Sequence, residues 1–178
     1  MATLLSLPAD ILRYHIFTSK SLDAPSLAMS SMVCKRIREF VPANKRKVTI
    51  NSAVYEGYLE VVQWLIAKGL LWNSQTCECA ALNGHLKMLQ WLRANDCPWD
   101  QWTCVFALFN GHLEALQWAV VNGCPCDESI CTYAVVNNQL EALQWLRANG
   151  CPWNKENCLL YARRVEDKYI ADWINEQT

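Results

Sequence analysis

Ten cysteines and three histidines are the side chains of this sequence best able to bind a metal, attack an electrophile or carry a redox pair. Tetrahedral zinc needs four such ligands, usually a C-x2-C couple facing a second couple. Cys77-x-Cys79 and Cys124-x-Cys126 are one residue too close for that pattern, and His15 has no partner in the sequence. Most of the cysteines follow another rule. Cys77, Cys104, Cys131 and Cys158 are spaced by 27 residues, as are Cys97, Cys124 and Cys151, which leaves Cys34, Cys79 and Cys126 outside the pattern. His85 and His112 are also 27 apart. A residue that returns at a fixed interval marks a repeated structural position, so these side chains are expected to pack rather than react. No nucleophile elbow, phosphate-binding glycine loop or His-based dyad is visible, and every acidic residue suits a helix cap or a solvated face. The expectation is a protein that is not an enzyme and holds no metal or cofactor.

The same interval governs Gln63-Trp64, Gln90-Trp91, Gln117-Trp118 and Gln144-Trp145. Residues 90–99 read QWLRANDCPW and 144–153 read QWLRANGCPW, differing only at Asp96 and Gly150. Each unit reads as helix, turn, helix. Asn73, Asp100, Asp127 and Asn154 are N-caps, because their side-chain oxygens can accept from the unpaired N–H groups of a first turn. Gly57, Gly84, Gly111 and Asn138 close that first helix, since Gly and Asn best tolerate the left-handed conformation of a helix end. The second segment carries an apolar stripe such as Leu86, Met88, Leu89, Trp91 and Leu92, ends at Gly69, Asp96, Gly123 or Gly150, and is followed two residues later by Pro98, Pro125 or Pro152. One such unit cannot bury its apolar face alone, so neighbours must stack. The series Trp64, Trp91, Trp118, Trp145, with Trp173 one residue out of step, and Trp72, Trp99, Trp153 are expected to form the core between units. Ala53, Ala80, Ala107 and Ala134 are expected to let helices approach closely.

The strings Ala80-Ala81-Leu82-Asn83-Gly84-His85-Leu86 and Asn110-Gly111-His112-Leu113-Glu114 resemble the ankyrin pattern A-A-x-x-G-H-L-E, and Thr76-Cys77 and Thr103-Cys104 lie where ankyrin repeats have Thr-Pro. The resemblance covers residues 46–178, with repeats at about 46–72, 73–99, 100–126 and 127–153 and a C-terminal cap at 154–178. It implies an all-α, ankyrin-like helical-repeat solenoid that binds proteins. The unit is 27 residues long instead of 33, with C-P-W where the long turn should be, so the β-hairpin fingers are expected to be reduced or absent. Repeats of this short type look like those of the ankyrin families of amoeba-infecting giant DNA viruses.

Residues 7–40 read LPADILRYHIFTSKSLDAPSLAMSSMVCKRIREF and resemble the F-box, placing an N-terminal helical F-box-like module at 1–44. The resemblance implies docking onto the Skp-type adaptor of a cullin-RING ubiquitin ligase, through Leu7, Pro8, Ile11, Leu12, Ile16, Phe17, Leu27 and Val33, with an unknown target protein held by the repeats. The alternative is a plain ankyrin scaffold that sequesters its partner, with the N-terminal helices serving only to cap the stack.

Residues 1–47 hold 8 Lys/Arg against 3 Asp/Glu, whereas the remainder is acidic. The run Lys45-Arg46-Lys47 lacks interleaved aromatics, so it reads as a solvated linker; nucleic acid is not an expected partner. With no long apolar run, no membrane association is expected. The chain reads as an intracellular monomer of the cytoplasm, the host cytoplasm if viral, with a basic run that could serve nuclear import. Positions that vary while their neighbours repeat point to a binding face: Gln75, Trp102 and Ser129 before the ankyrin Thr, and Tyr55, Leu82, Phe109 and Val136 before the closing residue.

Overall fold

The computed structural model describes residues 49–177. The F-box-like positions Leu7, Pro8, Ile11, Leu12, Ile16, Phe17, Leu27 and Val33, and the basic run Lys45-Arg46-Lys47, lie outside the described residues. Among the described residues there are ten helices and no strand. The chain divides at a repeat boundary into a unit ending at Trp72 and a unit starting at Asn73. The first contains α1 (Ile50–Tyr55) and α2 (Leu59–Ala67). The second contains α3 (Ser74–Leu82), α4 (Leu86–Ala94), α5 (Gln101–Phe109), α6 (Leu113–Val121), α7 (Ser129–Val136), α8 (Leu140–Ala148), α9 (Lys155–Arg164) and α10 (Lys168–Glu176).

The first helices start where local chemistry satisfies their orphan donors. Thr49 and Ser52 cap α1 reciprocally, the Ser52 N–H donating to Thr49 Oγ1 at 3.1 Å and the Thr49 N–H to Ser52 Oγ at 2.9 Å. Asp100 accepts from the Trp102 N–H at 3.0 Å and Asn154 from the Asn157 N–H at 2.9 Å. At Asn73 a capping box forms with Thr76, whose Oγ1 accepts from the Asn73 N–H at 3.3 Å. Helix α7 departs from the 27-residue register: it begins at Ser129, so its N-cap position falls on Glu128. Asp127 still accepts from the Ser129 N–H at 2.9 Å, so its carboxylate closes the turn ahead of the helix.

Each first helix ends alike. Gly57, Gly84, Gly111 and Asn138 all have positive φ, and the residue after each donates its N–H to Ala53, Ala80, Ala107 or Ala134 at 2.9–3.0 Å. This six-to-one closure is the Schellman geometry. The last repeat carries one extra residue, and there Glu166 takes the positive φ while Asp167 donates to the Ala162 carbonyl.

In the first unit α1 packs on α2 and buries Ile50, Ala53, Val54, Val61, Val62 and Leu65. In the second, α3, α5, α7 and α9 lie side by side in a row, each packed on its own second helix. Ala80, Ala107 and Ala134 have no exposed surface, and their small side chains permit the close approach of α3 to α5 and of α5 to α7. Cys77, Cys104, Cys131 and Cys158 are fully buried in the same row, as a repeated structural position should be. Residues 97–100, which follow the turn after α4, carry no strand, so a tight C-P-W turn stands where ankyrin fingers would project.

The tryptophans do not form the core. Trp64, Trp72, Trp91, Trp99, Trp118, Trp145, Trp153 and Trp173 are all half-buried, and the fully enclosed side chains of α4, α6 and α8 include Leu89, Leu92, Leu116, Leu143 and Leu146. The reason is helical geometry: Trp91 lies one residue before Leu92, hence ~100° round the helix from the buried line. Four of them instead bridge repeats at the rim, Trp99 meeting Trp118 edge-on at 5.9 Å and Trp153 meeting Trp173 at 6.3 Å. Arg93 stacks on Trp99 at 4.3 Å and Arg147 on Trp153 at 4.7 Å, and each guanidinium also donates to the carbonyl of Cys97 or Cys151. The pair clasps the C-P-W turn.

Candidate protein-interaction site

The capped first helices α5 and α7 present side chains at 27-residue spacing on one shared face. Trp102 opens the row on α5 and is 43% exposed; Phe106 follows at 6.2 Å and Phe109 at 6.3 Å beyond it. Phe109, 42% exposed, meets Tyr133 of α7 at 5.6 Å, and Val136 is exposed one turn further on. The aromatic rings thus run continuously across two repeats. Beside them a groove of about 490 Å³ is lined by Phe109, Glu128, Ser129, Thr132, Tyr133 and Val136 together with α9 residues and Asn154.

Of the positions expected to contact a partner, Phe109, Ser129 and Val136 line this groove, and Trp102 joins it through Phe106. Gln75 is exposed on α3, where its side chain accepts from Asn73 Nδ2 at 3.4 Å. Leu82 is half-buried, and its carbonyl accepts from Asn110 Nδ2 of the next repeat at 2.6 Å. Tyr55 is exposed on α1, in the unit that ends at Trp72. Sequence reading passed over Phe106 and Tyr133, although Cys79, Phe106, Tyr133 and Leu160 also vary at the 27-residue interval. It also passed over Glu128, Thr132, Asn157 and Tyr161 and read Asn154 only as a helix cap; all five become wall residues only through the stacking of α7 and α9.

The ankyrin Gly-His position is structural. The His112 ring lies so close to Gly84 that a Cβ there would sit 2.5 Å from Nδ1. In the next repeat Gln139 replaces the histidine, and its Nε2 donates to the Leu108 carbonyl of the preceding repeat at 2.5 Å. Three core thiols are pushed up: the hydrogen bond to Cys97, then burial, raises Cys77; the hydrogen bond to Cys124, then burial, raises Cys104; burial pushes Cys131 up to about 12; the buried Cys97 is lowered, chiefly by its hydrogen bond with Cys77. Among the described residues no group of three or more His, Cys, Asp or Glu is placed to hold a metal ion. No described helix is long and apolar enough to cross a membrane.

Residues 50–93 match the protein family described as ankyrin repeats (many copies). No curated protein matches the chain. The helix order, the closing turns and this match together make the described chain an all-α array of ankyrin-like helical repeats in which tight turns stand in place of β-fingers.

Proposed function

We propose that this chain is a non-catalytic interaction scaffold that holds a target protein on the face formed by Trp102, Phe106, Phe109, Tyr133 and Val136, and that residues 7–40 dock it onto a Skp-type adaptor of a cullin-RING ubiquitin ligase. The observation that carries the scaffold reading is the unbroken aromatic row. Exposed apolar surface of this continuity is costly to leave in water, and aromatic side chains supply most of the binding energy where proteins meet. Helical repeats diversify such a face while stacking constrains the rest. Among the residues lining the groove Glu128 is the only carboxylate, a set suited to contact rather than to proton transfer. The ligase reading is supported by the F-box-like residues Ile11, Leu12, Ile16 and Phe17.

A photo-crosslinking residue installed at position 102 should capture one partner protein in cells, and Phe109→Asp with Tyr133→Asp should abolish capture while leaving the circular dichroism spectrum unchanged. Capture that persists in this variant would sink the scaffold face. Ile11→Asp with Phe17→Asp should remove ligase subunits and retain the target; if wild-type protein recruits no ligase subunit, the plain scaffold remains.

A further inference from the structure

Cys126 stands at the position where the other turns carry Trp72, Trp99 and Trp153. The substitution is part of a local departure, because Val120 also replaces the arginine that clasps the tryptophan as Arg93 or Arg147. Without the indole and its guanidinium, Cys126 Sγ comes to 3.2 Å from Cys151 Sγ of the next turn. Cys126 is half-exposed, whereas Cys77, Cys97, Cys104, Cys124, Cys131, Cys151 and Cys158 are buried. A small-molecule oxidant can therefore reach one member of this pair directly. Forming a bond requires the sulfurs to approach by about 1.1 Å, to the ~2.05 Å of a disulfide. The pair joins the segment entering α7, which brings Glu128 and Ser129 to the groove, to the segment entering α9, which brings Asn154 and Asn157.

We infer that Cys126 and Cys151 are a reversible dithiol–disulfide pair, oxidised by a small-molecule disulfide, that links two neighbouring repeats. Cys126 loses its proton to solvent and its thiolate attacks one sulfur of RS–SR. The S–S bond of the reagent breaks, an Sγ–SR bond forms, and RS⁻ leaves and is protonated. Cys151 then gives up its proton and attacks Cys126 Sγ, expelling the second RS⁻, which is protonated in turn. Two protein thiols are oxidised and one disulfide is reduced to two thiols. The order follows from access: Cys126 is half-exposed while Cys151 is buried, and burial, then the hydrogen bond to Cys126, pushes Cys151 up to about 12, so Cys126 attacks first. None of these steps depends on what occupies the groove.

The test treats the full chain with oxidised glutathione, alkylates the remaining thiols and maps the peptides by mass spectrometry. The expected product is a Cys126–Cys151 crosslink that dithiothreitol reverses. Cys151→Ala should stop at a glutathione adduct on Cys126, and Cys126→Ser should leave Cys151 alkylated. Should Cys151→Ala fail to fold, melting decides: oxidised wild type should melt several degrees above its reduced form, with no difference in Cys126→Ser. The inference is overturned if both thiols remain alkylated after oxidation, if either pairs with a different cysteine, or if both proteins show the same shift.

Discussion

Gly84 and Gly150 both close helices at positive φ, +65° and +77°, yet their surroundings differ. A Cβ at Gly84 would meet three atoms of the His112 ring at 2.5–2.8 Å, whereas one at Gly150 meets nothing within 4 Å. Alanine at either site incurs the left-handed penalty of about 1–2 kcal/mol; only Gly84→Ala must also displace a ring wedged between repeats. Urea unfolding should therefore show Gly84→Ala losing roughly 2–4 kcal/mol and Gly150→Ala about 1–2. Equal losses would mean that the histidine contact carries no constraint. The two ankyrin-type threonines also diverge. Thr76 Oγ1 accepts from the Asn73 N–H, while the buried Thr103 Oγ1 has no hydrogen-bond partner. Thr103→Val should thus gain about 0.5–1.5 kcal/mol and Thr76→Val lose a similar amount, read from the same unfolding curves.

The helix ends were legible because caps and closing turns are local. Asn154 needs only the N–H three residues on, and Asn138 needs only its own φ. The misplaced start of α7 shows the limit: Asp127, Glu128 and Ser129 offer overlapping ways to begin a helix, and residue type alone did not choose between them. Contacts between elements were less legible still. Glu78 of α3 accepts from Ser74 Oγ at 3.3 Å, and burial, then the charge of Asp100 at the start of α5, raises its carboxyl above the usual value of 4.5. A raised folded pKa means that the folded state binds this proton more tightly than the unfolded chain does, so the stability it contributes is present at acid pH and lost as pH rises through the folded pKa. Glu78→Gln keeps the acceptor without the charge. Thermal melts should show the variant more stable by a few tenths of a kcal/mol at pH 7, and the advantage should vanish below about pH 4. A constant advantage across that range would assign the effect to packing.

For the molecule as a stack, the terminal repeat covers a face that α7 otherwise exposes to water, since α9 packs on α7. Helix α10 buries Ile170 and Ile174 while Tyr169 and Asp172 face solvent. Deleting residues 154–178 should lower the melting temperature by roughly 10 °C or more, or cause aggregation, visible by calorimetry and light scattering. An unchanged transition would show that the earlier repeats are self-sufficient. The groove should be lost with these residues, because Asn154, Asn157 and Tyr161 form one of its walls.

The residue types and their 27-residue spacing determined the helix pairs, their closing turns and the absence of fingers among the described residues, because hydrogen bonds that satisfy a helix end reach only a few positions along the chain. Stacking decided the rest. Whether a tryptophan is enclosed or lies at a rim depends on the neighbouring helix that covers the adjacent line of leucines, and whether two cysteines 25 residues apart in sequence stand 3.2 Å apart depends on how consecutive turns superpose. The aromatic row and its groove belong to that second class, since neither belongs to any single repeat and only the packing of α5, α7 and α9 side by side assembles them.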